Sequence, residues 1–373
     1  MEATNVKKRS FDFLIFLTVL VLLGLGTIMV FSAGSPHAYT YLNGDTYYFL
    51  KKQLIYVSLG LVGMFITMNI DYRKLGKLSP IFLVVSILSL LLVCIPGIGI
   101  SLNGARRWLG AGGLTVQPSE FAKISVILFF SYSISKRQNE LKKFKSGLMP
   151  YLMILGVIAG LLLLEPHLSG TIIIGSVAFI ILFVGGARIL HFVLLGLPVV
   201  AALVALVLTS EYRLKRLISF MDPWKDIQGA GWQIVQSLYA IGGGGLFGRG
   251  LGKSLQKFLY IPEPYNDFIF SVYAEELGFV GVIVVLTLFT IFLWRGVKVA
   301  THAPDLFGSL LAMGITCWIM IQMIINILVV TSSMPVTGMP LPFFSYGGTS
   351  LIFLLSGIGI LLNISRYSNY ERI

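Results

Sequence analysis

The segment at residues 279–294 reads FVGVIVVLTLFTIFLW and contains no charged residue. In helical form, about 20 such residues cross the ~30 Å hydrocarbon core of a lipid bilayer. The rest of the chain has the same character, because 56% of its 373 residues are hydrophobic and only 12% are charged. Soluble domains carry about 25% charged residues, so the sequence predicts an integral membrane protein.

Apolar runs of similar length recur along the chain, and none alternates with period two as the strands of a membrane β-barrel do. We predict one domain over residues 1–373 with an all-α fold, a polytopic bundle of about ten transmembrane helices. The predicted spans are residues 11–33, 50–69, 77–96, 118–135, 148–164, 169–186, 189–210, 267–294, 307–330 and 347–365.

The positions of Lys and Arg predict the orientation. With both termini in the cytoplasm, sixteen of these residues fall in inside segments and four in short outside segments. The seven in residues 211–266 are set aside, because long loops carry less weight. The net charge of +12 therefore reflects topology, whereas a nucleic-acid surface would concentrate it on one face. Residues 211–266 become a large extracytoplasmic loop, whose stretch WQIVQSLYAIGG has an apolar face that suits the membrane surface.

Four carboxylates lie in the segment PEPYNDFIFSVYAEEL, directly before the apolar run. A continuous helix over residues 267–294 would be ~42 Å long at 1.5 Å per residue, which exceeds the hydrocarbon core. We therefore expect Glu275 and Glu276 at the outer headgroup boundary and Asp267 up to ~12 Å further out. Asp267 either caps the helix or acts on lipid headgroups. Glu275 and Glu276 are candidate site residues for which a structural role is favoured.

A second polar segment, NGARRWLGAGGLTVQPSEFAKI, leads into the fourth predicted span. Arg106 and Arg107 offer planar donors that match phosphate oxygens, with contact to anionic lipids as the alternative. Glu120 and Lys123 are three residues apart on one helix face, which predicts a structural ion pair within the membrane.

Other signals indicate no chemistry. The glycine-rich segment 240–254 matches GxGxxG, but no predicted strand precedes it, so nucleotide binding is not expected. Its glycines instead permit a tight turn against the helices. The four histidines are scattered and form no zinc pattern. Cys94 and Cys317 lie in apolar runs, where we expect their thiols to be inert. Lys52 lies at the outer end of a predicted span, where snorkelling of its ammonium group to the membrane surface explains it.

Four segments, in this order, resemble the SEDS family (shape, elongation, division, sporulation), whose members include FtsW, RodA and SpoVE. They are GARRWLGAGGLTVQPSEFAK, QSLYAIGGGGLFGRGLGKSLQKFLYIPEP, NDFIFSVYAEELGFVG and PLPFFSYGGTS. A further segment, DTYYFLKKQ, looks more like the FtsW/SpoVE branch than like RodA. The resemblance covers nearly the whole chain.

The resemblance implies an inverting peptidoglycan glycosyltransferase of the bacterial cytoplasmic membrane, for division or spore-cortex synthesis. Its substrate would be lipid II, the undecaprenyl-pyrophosphate-linked disaccharide pentapeptide, and its partner a class B penicillin-binding protein transpeptidase. The family's essential aspartate falls on Asp267, which would be the catalytic base. The implied substrate-binding residues are Arg106, Arg107, Trp108, Lys52, Gln117 and Ser119. No protein-held metal is expected, and a divalent cation such as Mg²⁺ is the one cofactor left open.

Four positions depart from the family's usual residues, and their roles stay open: Gly243, Tyr265, Asn266 and His167, the last of which replaces a carboxylate. Two other functions also stay open. A lipid II flippase would suit the intramembrane charges, although most charges of this chain lie outside the spans. A scaffold that only recruits a transpeptidase would tolerate Asp267→Asn.

Overall fold

The computed structural model describes residues 10–102, 105–111, 114–209, 211–227, 229 and 231–368. The helices in these residues are α1 Phe13–Tyr41, α2 Tyr48–Asn69, α3 Tyr72–Cys94, α4 Pro118–Lys136, α5 Met149–Leu164, α6 Leu168–Val184, α7 Ile189–Leu208, α8 Glu211–Met221, α9 Trp232–Gly243, α10 Ile269–Thr301, α11 Leu306–Val330 and α12 Thr349–Ser365. Each of the ten predicted runs overlaps one of these helices. The stretch predicted to lie at the membrane surface is α9.

The long apolar helices make this a multi-pass membrane protein. In the described part of the chain, six helical segments are long and apolar enough to cross a bilayer: Phe13–Tyr41, Tyr48–Asn69, Tyr72–Cys94, Phe144–Leu164, Ile269–Thr301 and Leu306–Val330. The helices α6 and α12 are apolar but shorter. The number of ten spans and the cytoplasmic placement of both termini stay predictions.

The prediction of an all-α fold is wrong in one connection. Residues 100–116 contain a three-stranded antiparallel sheet with the order β1-β2-β3, formed by Ile100–Leu102, Ala105–Ala111 and Leu114–Val116. Ile100 pairs with Trp108, and Leu109 pairs with Val116. Two of the strands have only three residues, which is too short for a period-two pattern to be seen in the sequence.

A buried ion pair joins α1 to α10 at one end of the bundle, and a hydrogen bond links the same aspartate to α12. The carboxylate of Asp12 accepts hydrogen bonds from the backbone amide of Ile15 at 3.0 Å and from Nη2 of Arg295 on α10 at 2.6 Å. The Asp12 amide donates to Oγ of Ser365 on α12 at 2.9 Å. Because Asp12 and Arg295 are almost fully buried, the ion pair and the hydrogen bond to Ser365 together fix α1, α10 and α12. We call this end of the bundle the Asp12 end.

Other polar contacts gather at the Asp12 end. Asp305, which caps α11, accepts hydrogen bonds from the hydroxyl of Tyr72 at 2.6 Å and from Nε of Arg73 at 3.1 Å. The side-chain amide of Asn363 donates to the carbonyl of Met68 at 2.8 Å and so joins α12 to α2, the helix against which α12 packs most extensively. The contacts of Asp305 with Tyr72 and Arg73 therefore bring together, at one end of the molecule, two segments that are predicted to be cytoplasmic.

The helix α10 is not the continuous helix predicted for residues 267–294. It begins at Ile269, is interrupted at Gly278 (φ 66°, ψ −166°) and continues to Thr301. The glycine-rich segment fills the interruption. The amides of Arg249 and Gly250 donate to carbonyls of α10 at 3.0 and 2.9 Å, and the amide of Phe279 donates to the carbonyl of Gly245 at 2.9 Å. The expected tight turn against the helices is therefore confirmed.

Candidate active site

Asp267 lies in the turn before α10, at the end of the bundle opposite to the Asp12 end. The position that caps α10 is Phe268, and it makes no side-chain hydrogen bond, so the prediction that Asp267 caps the helix is wrong. The backbone of Asp267 is fixed by Asn326 of α11, whose side-chain amide donates to the carbonyls of Asp267 at 2.7 Å and of Met339 at 2.8 Å. The half-buried carboxylate is therefore held in place through its backbone.

Burial raises the pKa of Asp267 to about 6, whereas its own backbone amide lowers that pKa by donating to the carboxylate. Among the charged neighbours, Glu263 raises the pKa and Arg216 of α8 lowers it. Arg216 is oriented by a hydrogen bond to the carbonyl of Val336 at 2.8 Å. At neutral pH the carboxylate is mostly ionised, with a pKa close enough to the working pH for a general base.

The loop after α11 forms the wall beside Asp267. Gly338 has a φ of +68°, and a Cβ at this position would lie 3.7 Å from Oδ2 of Asp267. Ser169, at the start of α6, donates to the carbonyl of Thr337 at 2.6 Å. Because α6, α8 and α11 all contact residues 336–339, the loop is supported from several sides where it meets the carboxylate.

Glu120 and Lys123 form a buried ion pair, with 2.7 Å between Oε1 and Nζ. The Lys123 ammonium group also contacts Oε1 of Gln322 at 3.4 Å and lies 5.7 Å from the centre of the Trp318 ring. Gln322 in turn donates to the carbonyl of Pro340 at 3.0 Å. The ion pair is thus connected to the loop that walls the Asp267 site.

Gln322 and Asn326 were missed in the sequence, yet they connect the ion pair to Asp267. They are four residues apart and therefore lie on one face of α11. Their side chains contact successive carbonyls of the loop, those of Pro340 and Met339. The available signal was a pair of amides at helical spacing inside an apolar run, because polar groups at membrane depth are candidates for function.

Arg106 and Arg107 lie on opposite faces of the sheet, because neighbouring residues of a strand alternate. Arg107 donates from Nε to the carbonyl of Glu165 at 3.2 Å and from Nη2 to the carbonyl of Pro166. Arg106 is exposed, and its side chain packs beside Gly99. The two guanidinium groups, predicted as donors to phosphate oxygens, therefore lie in different surroundings, and their role in binding stays a prediction.

The turn between α5 and α6, which Arg107 contacts, contains two titratable groups that are uncharged at neutral pH, Glu165 and His167. Burial raises the pKa of Glu165 to about 8, and Arg107 opposes the shift. Burial, together with Arg107 and Lys123, lowers the pKa of His167 to about 3. His167, which replaces a carboxylate of the family pattern, is therefore an uncharged group near two cations.

The other predicted binding residues are spread around this centre. The backbone amide of Gln117 donates to Oγ1 of Thr349 at 3.4 Å, and Ser119 is buried in the first turn of α4. Trp108 is half-buried on β2, and the ammonium group of Lys52 lies 4.5 Å from the centre of the Tyr48 ring. Among the contacts of the described residues, none joins Lys52 or Trp108 directly to Asp267.

Glu275 and Glu276 are enclosed by the protein, and their place at the headgroup boundary stays a prediction. Glu276 accepts hydrogen bonds from Lys257 at 2.9 Å and from Ser32 at 2.6 Å. Glu275 accepts from the backbone amide of Leu255 at 3.0 Å. Carboxylates surrounded by loop donors in this way fix the fold of the loop over the end of α10.

A resident metal ion would need several ligands close together beside Asp267. Within the described ranges, no group of three or more His, Cys, Asp or Glu side chains is assembled to hold a metal ion. The protein residues at Asp267 therefore do not fit a resident metal, and the involvement of Mg²⁺ stays a prediction.

These features define a polytopic membrane protein with a polar site at the end of the bundle where α10 begins. A protein-family model described as "Cell cycle protein" (FTSW_RODA_SPOVE) matches residues 12–370. The chain belongs to this FtsW/RodA/SpoVE family, as its sequence motifs indicated.

Individual relatives agree with this assignment. The chain is 47% identical over 98% of its length to Stage V sporulation protein E of Bacillus subtilis, all of which is covered. It is 44% identical over 95% of its length to the probable peptidoglycan glycosyltransferase FtsW of Trichlorobacter lovleyi, of which 93% is covered.

Solved structures show the same fold. A chain from a peptidoglycan synthase complex that coordinates polymerization and crosslinking superposes with a TM-score of 0.77 at 31% identity, with 95% of this chain and 98% of that one covered. RodA of Thermus thermophilus gives a TM-score of 0.71 at 30% identity, with 97% and 98% covered.

Proposed function

We propose that this protein is a peptidoglycan glycosyltransferase that polymerises lipid II at the outer face of the bacterial cytoplasmic membrane. The observation that carries the proposal is the Asp267 carboxylate, held beside the Gly338 backbone with a pKa of about 6. Relatives named as probable peptidoglycan glycosyltransferases support this reaction class. The resemblance to the SpoVE and FtsW branch favours division or spore-cortex synthesis.

Asp267 acts as the general base in this proposal. A sugar hydroxyl of one lipid II molecule attacks the anomeric carbon of another, and its proton passes to the carboxylate as the new C–O bond forms. The bond from that carbon to the diphosphate breaks, and undecaprenyl diphosphate leaves with the electron pair. One displacement with one base inverts the configuration at the anomeric carbon.

The leaving diphosphate needs positive charge, and the structure offers it on separate elements. Arg216 lies close enough to lower the pKa of Asp267, and Arg107 lies on the sheet above the turn between α5 and α6. Preorganised cations of this kind stabilise charge that develops on a leaving group. A class B penicillin-binding protein is the proposed partner, which is supported by the similarity to a chain of a peptidoglycan synthase complex.

The test replaces the base without changing its shape. Asp267→Asn should lower the polymerisation rate of labelled lipid II by at least roughly 100-fold, because general-base catalysis contributes about 10²–10⁴. Glycan products are separated on gels after incubation of the purified protein with and without its partner. Asp45→Asn is the control, because Asp45 pairs with Lys51 on the surface. Glycan synthesis by Asp267→Asn at the wild-type rate would refute the assignment.

The buried Glu120–Lys123 pair is the observation that favours the alternative, a lipid II flippase. The two charges of the pair neutralise each other, and Gln322 contacts Lys123. This arrangement favours a role in positioning the loop over a role as a polar pathway for lipid II through the membrane. A flippase would move labelled lipid II between leaflets of vesicles regardless of Asp267→Asn, so a transport assay on that variant separates the two functions.

A further inference from the structure

A cavity at the Asp12 end lies outside the site described above. It has a volume of about 360 Å³ and is formed where α3, α4 and α5 meet the connection at residues 137–148. Its wall includes Lys136 and Arg137 at the end of α4, and Tyr151 and Ile154 on α5. No residue assigned to the glycosyltransferase reaction lines it.

The lining changes from polar to apolar along the helices. Lys136 and Arg137 lie at the rim, and the hydroxyl groups of Ser133 and Tyr151 contact each other at 2.9 Å further in. Phe129 lies seven residues before Lys136 on α4, which places it ~10 Å closer to the membrane centre. A lipid has the same gradient, with a polar headgroup above an apolar chain.

The deeper wall of the cavity faces the hydrocarbon. Pro80 and Ile154 line it; Pro80 is itself exposed and Ile154 is half-buried, each on an apolar helix long enough to span the membrane. Exposed side chains of this kind on membrane-spanning helices contact acyl chains. A lipid therefore reaches the cavity sideways from the bilayer, whereas a soluble acidic peptide would meet only the rim.

The charge around the cavity favours an anion. The connection and the end of α4 carry five cationic residues and one carboxylate, a balance of +4, and the charged residues that line the cavity itself are Lys136, Arg137 and Glu140. The cationic residues are Lys136, Arg137, Lys142, Lys143 and Lys145. Basic pockets between membrane helices bind the headgroups of anionic lipids. We propose that this cavity is a binding site for the phosphate headgroup of an anionic phospholipid, with an acyl chain along Phe129 and Ile154.

Charge removal at the rim tests the site. The purified full-length protein in detergent is titrated with phosphatidylglycerol or phosphatidylcholine, and bound lipid is counted by native mass spectrometry. The double variant Lys136→Gln/Arg137→Gln should bind phosphatidylglycerol roughly tenfold more weakly than the wild type. The matched control, Lys142→Gln/Lys143→Gln, removes two charges that do not line the cavity, and it should bind almost as well as the wild type. Equal losses in both variants would overturn the proposal in favour of diffuse surface attraction.

A substitution in the apolar wall and a competition experiment identify the ligand. Ile154→Trp should fill the apolar wall and weaken phosphatidylglycerol binding severalfold, while an unchanged affinity would exclude the acyl chain from the cavity. Glycerol phosphate and poly-glutamate are added as competitors. Displacement of the lipid by either at comparable concentration would replace the lipid site by a soluble-anion or acidic-peptide site. Thermal unfolding of each variant confirms that the fold is retained.

Discussion

Asp267 combines two environments that usually exclude each other. Its carboxylate is removed from water far enough to raise its pKa to about 6, and yet the residue beside Gly338 is only half-buried. In the folded protein the ionised form is therefore disfavoured relative to a carboxylate in water, whose pKa is near 3.8. Groups held in this way at some cost to stability are typical of reacting positions.

The pKa of Asp267 predicts how the reaction depends on pH. The base is active when ionised, so the polymerisation rate should be level above about pH 7 and fall tenfold per unit below about pH 6. Initial rates of glycan formation between pH 5 and pH 8 measure this profile. A carboxylate with an ordinary pKa would keep its full rate down to pH 5, and that outcome would contradict the environment described for Asp267.

The hydrogen bonds of Asn326 predict how its substitution affects the reaction rate. Asn326→Leu removes the donor for the carbonyls of Asp267 and Met339, so the carboxylate is no longer held against the loop. We expect kcat to fall roughly tenfold to 100-fold with little change in KM, because a displaced catalytic group lowers the rate of the chemical step. Steady-state kinetics with lipid II test this split.

The exposed side-chain amide of Asn69 provides the matched control, and Asn69→Leu should leave kcat unchanged. If Asn326→Leu raised KM and left kcat intact, the residue would contribute to substrate binding instead of to the position of Asp267.

Site residues differ in how far sequence alone reveals them. Asp267 and the Glu120–Lys123 pair were found because each stands out against an apolar background within one segment. Arg216 and Asn326 approach Asp267 from segments 51 and 59 residues away, and no local pattern encodes such contacts. The separation of Arg106 from Arg107 followed from a strand that was itself not predicted.

Among the elements, α10 departs most from what its composition indicates. Its apolar residues encode a membrane helix, but they contain no sign of the interruption at Gly278. The interruption requires the backbone of Gly248, which lies thirty residues earlier and packs directly against it. The length of the apolar run thus predicted where α10 lies in the sequence. The contact between the distant glycines Gly248 and Gly278 determines that the helix is interrupted.

The Gly278 position predicts a large loss of stability on substitution. Gly278→Ala would place a side chain at φ +66° and drive its Cβ into the backbone nitrogen of Gly248. We expect the free energy of unfolding to fall by about 3 kcal/mol, measured by thermal unfolding in detergent. Gly242→Ala is the control, because nothing lies within 4 Å of its Cβ position. Equal stability of both variants would show that the interruption is not maintained by glycine.

For the whole molecule, the segments grouped by their Lys and Arg content are also the segments that pack together at one end of the bundle. The segments predicted to be cytoplasmic from their Lys and Arg content come together at the Asp12 end, through contacts such as those of Asp305 with Tyr72 and Arg73. The small sheet and the loop over α10 lie at the opposite end. Charge counting identified segments that share an end of the bundle, although it gave no information on their mutual contacts.

This arrangement predicts which residues can be labelled from outside the cell. In a background without Cys94 and Cys317, a cysteine at Phe258 should react with a membrane-impermeant maleimide in intact cells, since Phe258 is 55% exposed in the loop predicted to be extracytoplasmic. A cysteine at Lys142 should react only after the membrane is permeabilised. Reversed labelling of the two positions would overturn the orientation.

The contacts of α12 with α2 also have a consequence for biogenesis. Asn363 and Met68 are 295 residues apart in the chain. At about 5–20 residues per second, synthesis of the intervening chain takes roughly 15 to 60 s. During this interval the nascent N-terminal helices are in the bilayer without the helix that covers them. The surface of α2 that α12 covers therefore stays without its partner helix until translation is almost finished, and a nascent chain that stalls before residue 349 lacks these contacts altogether.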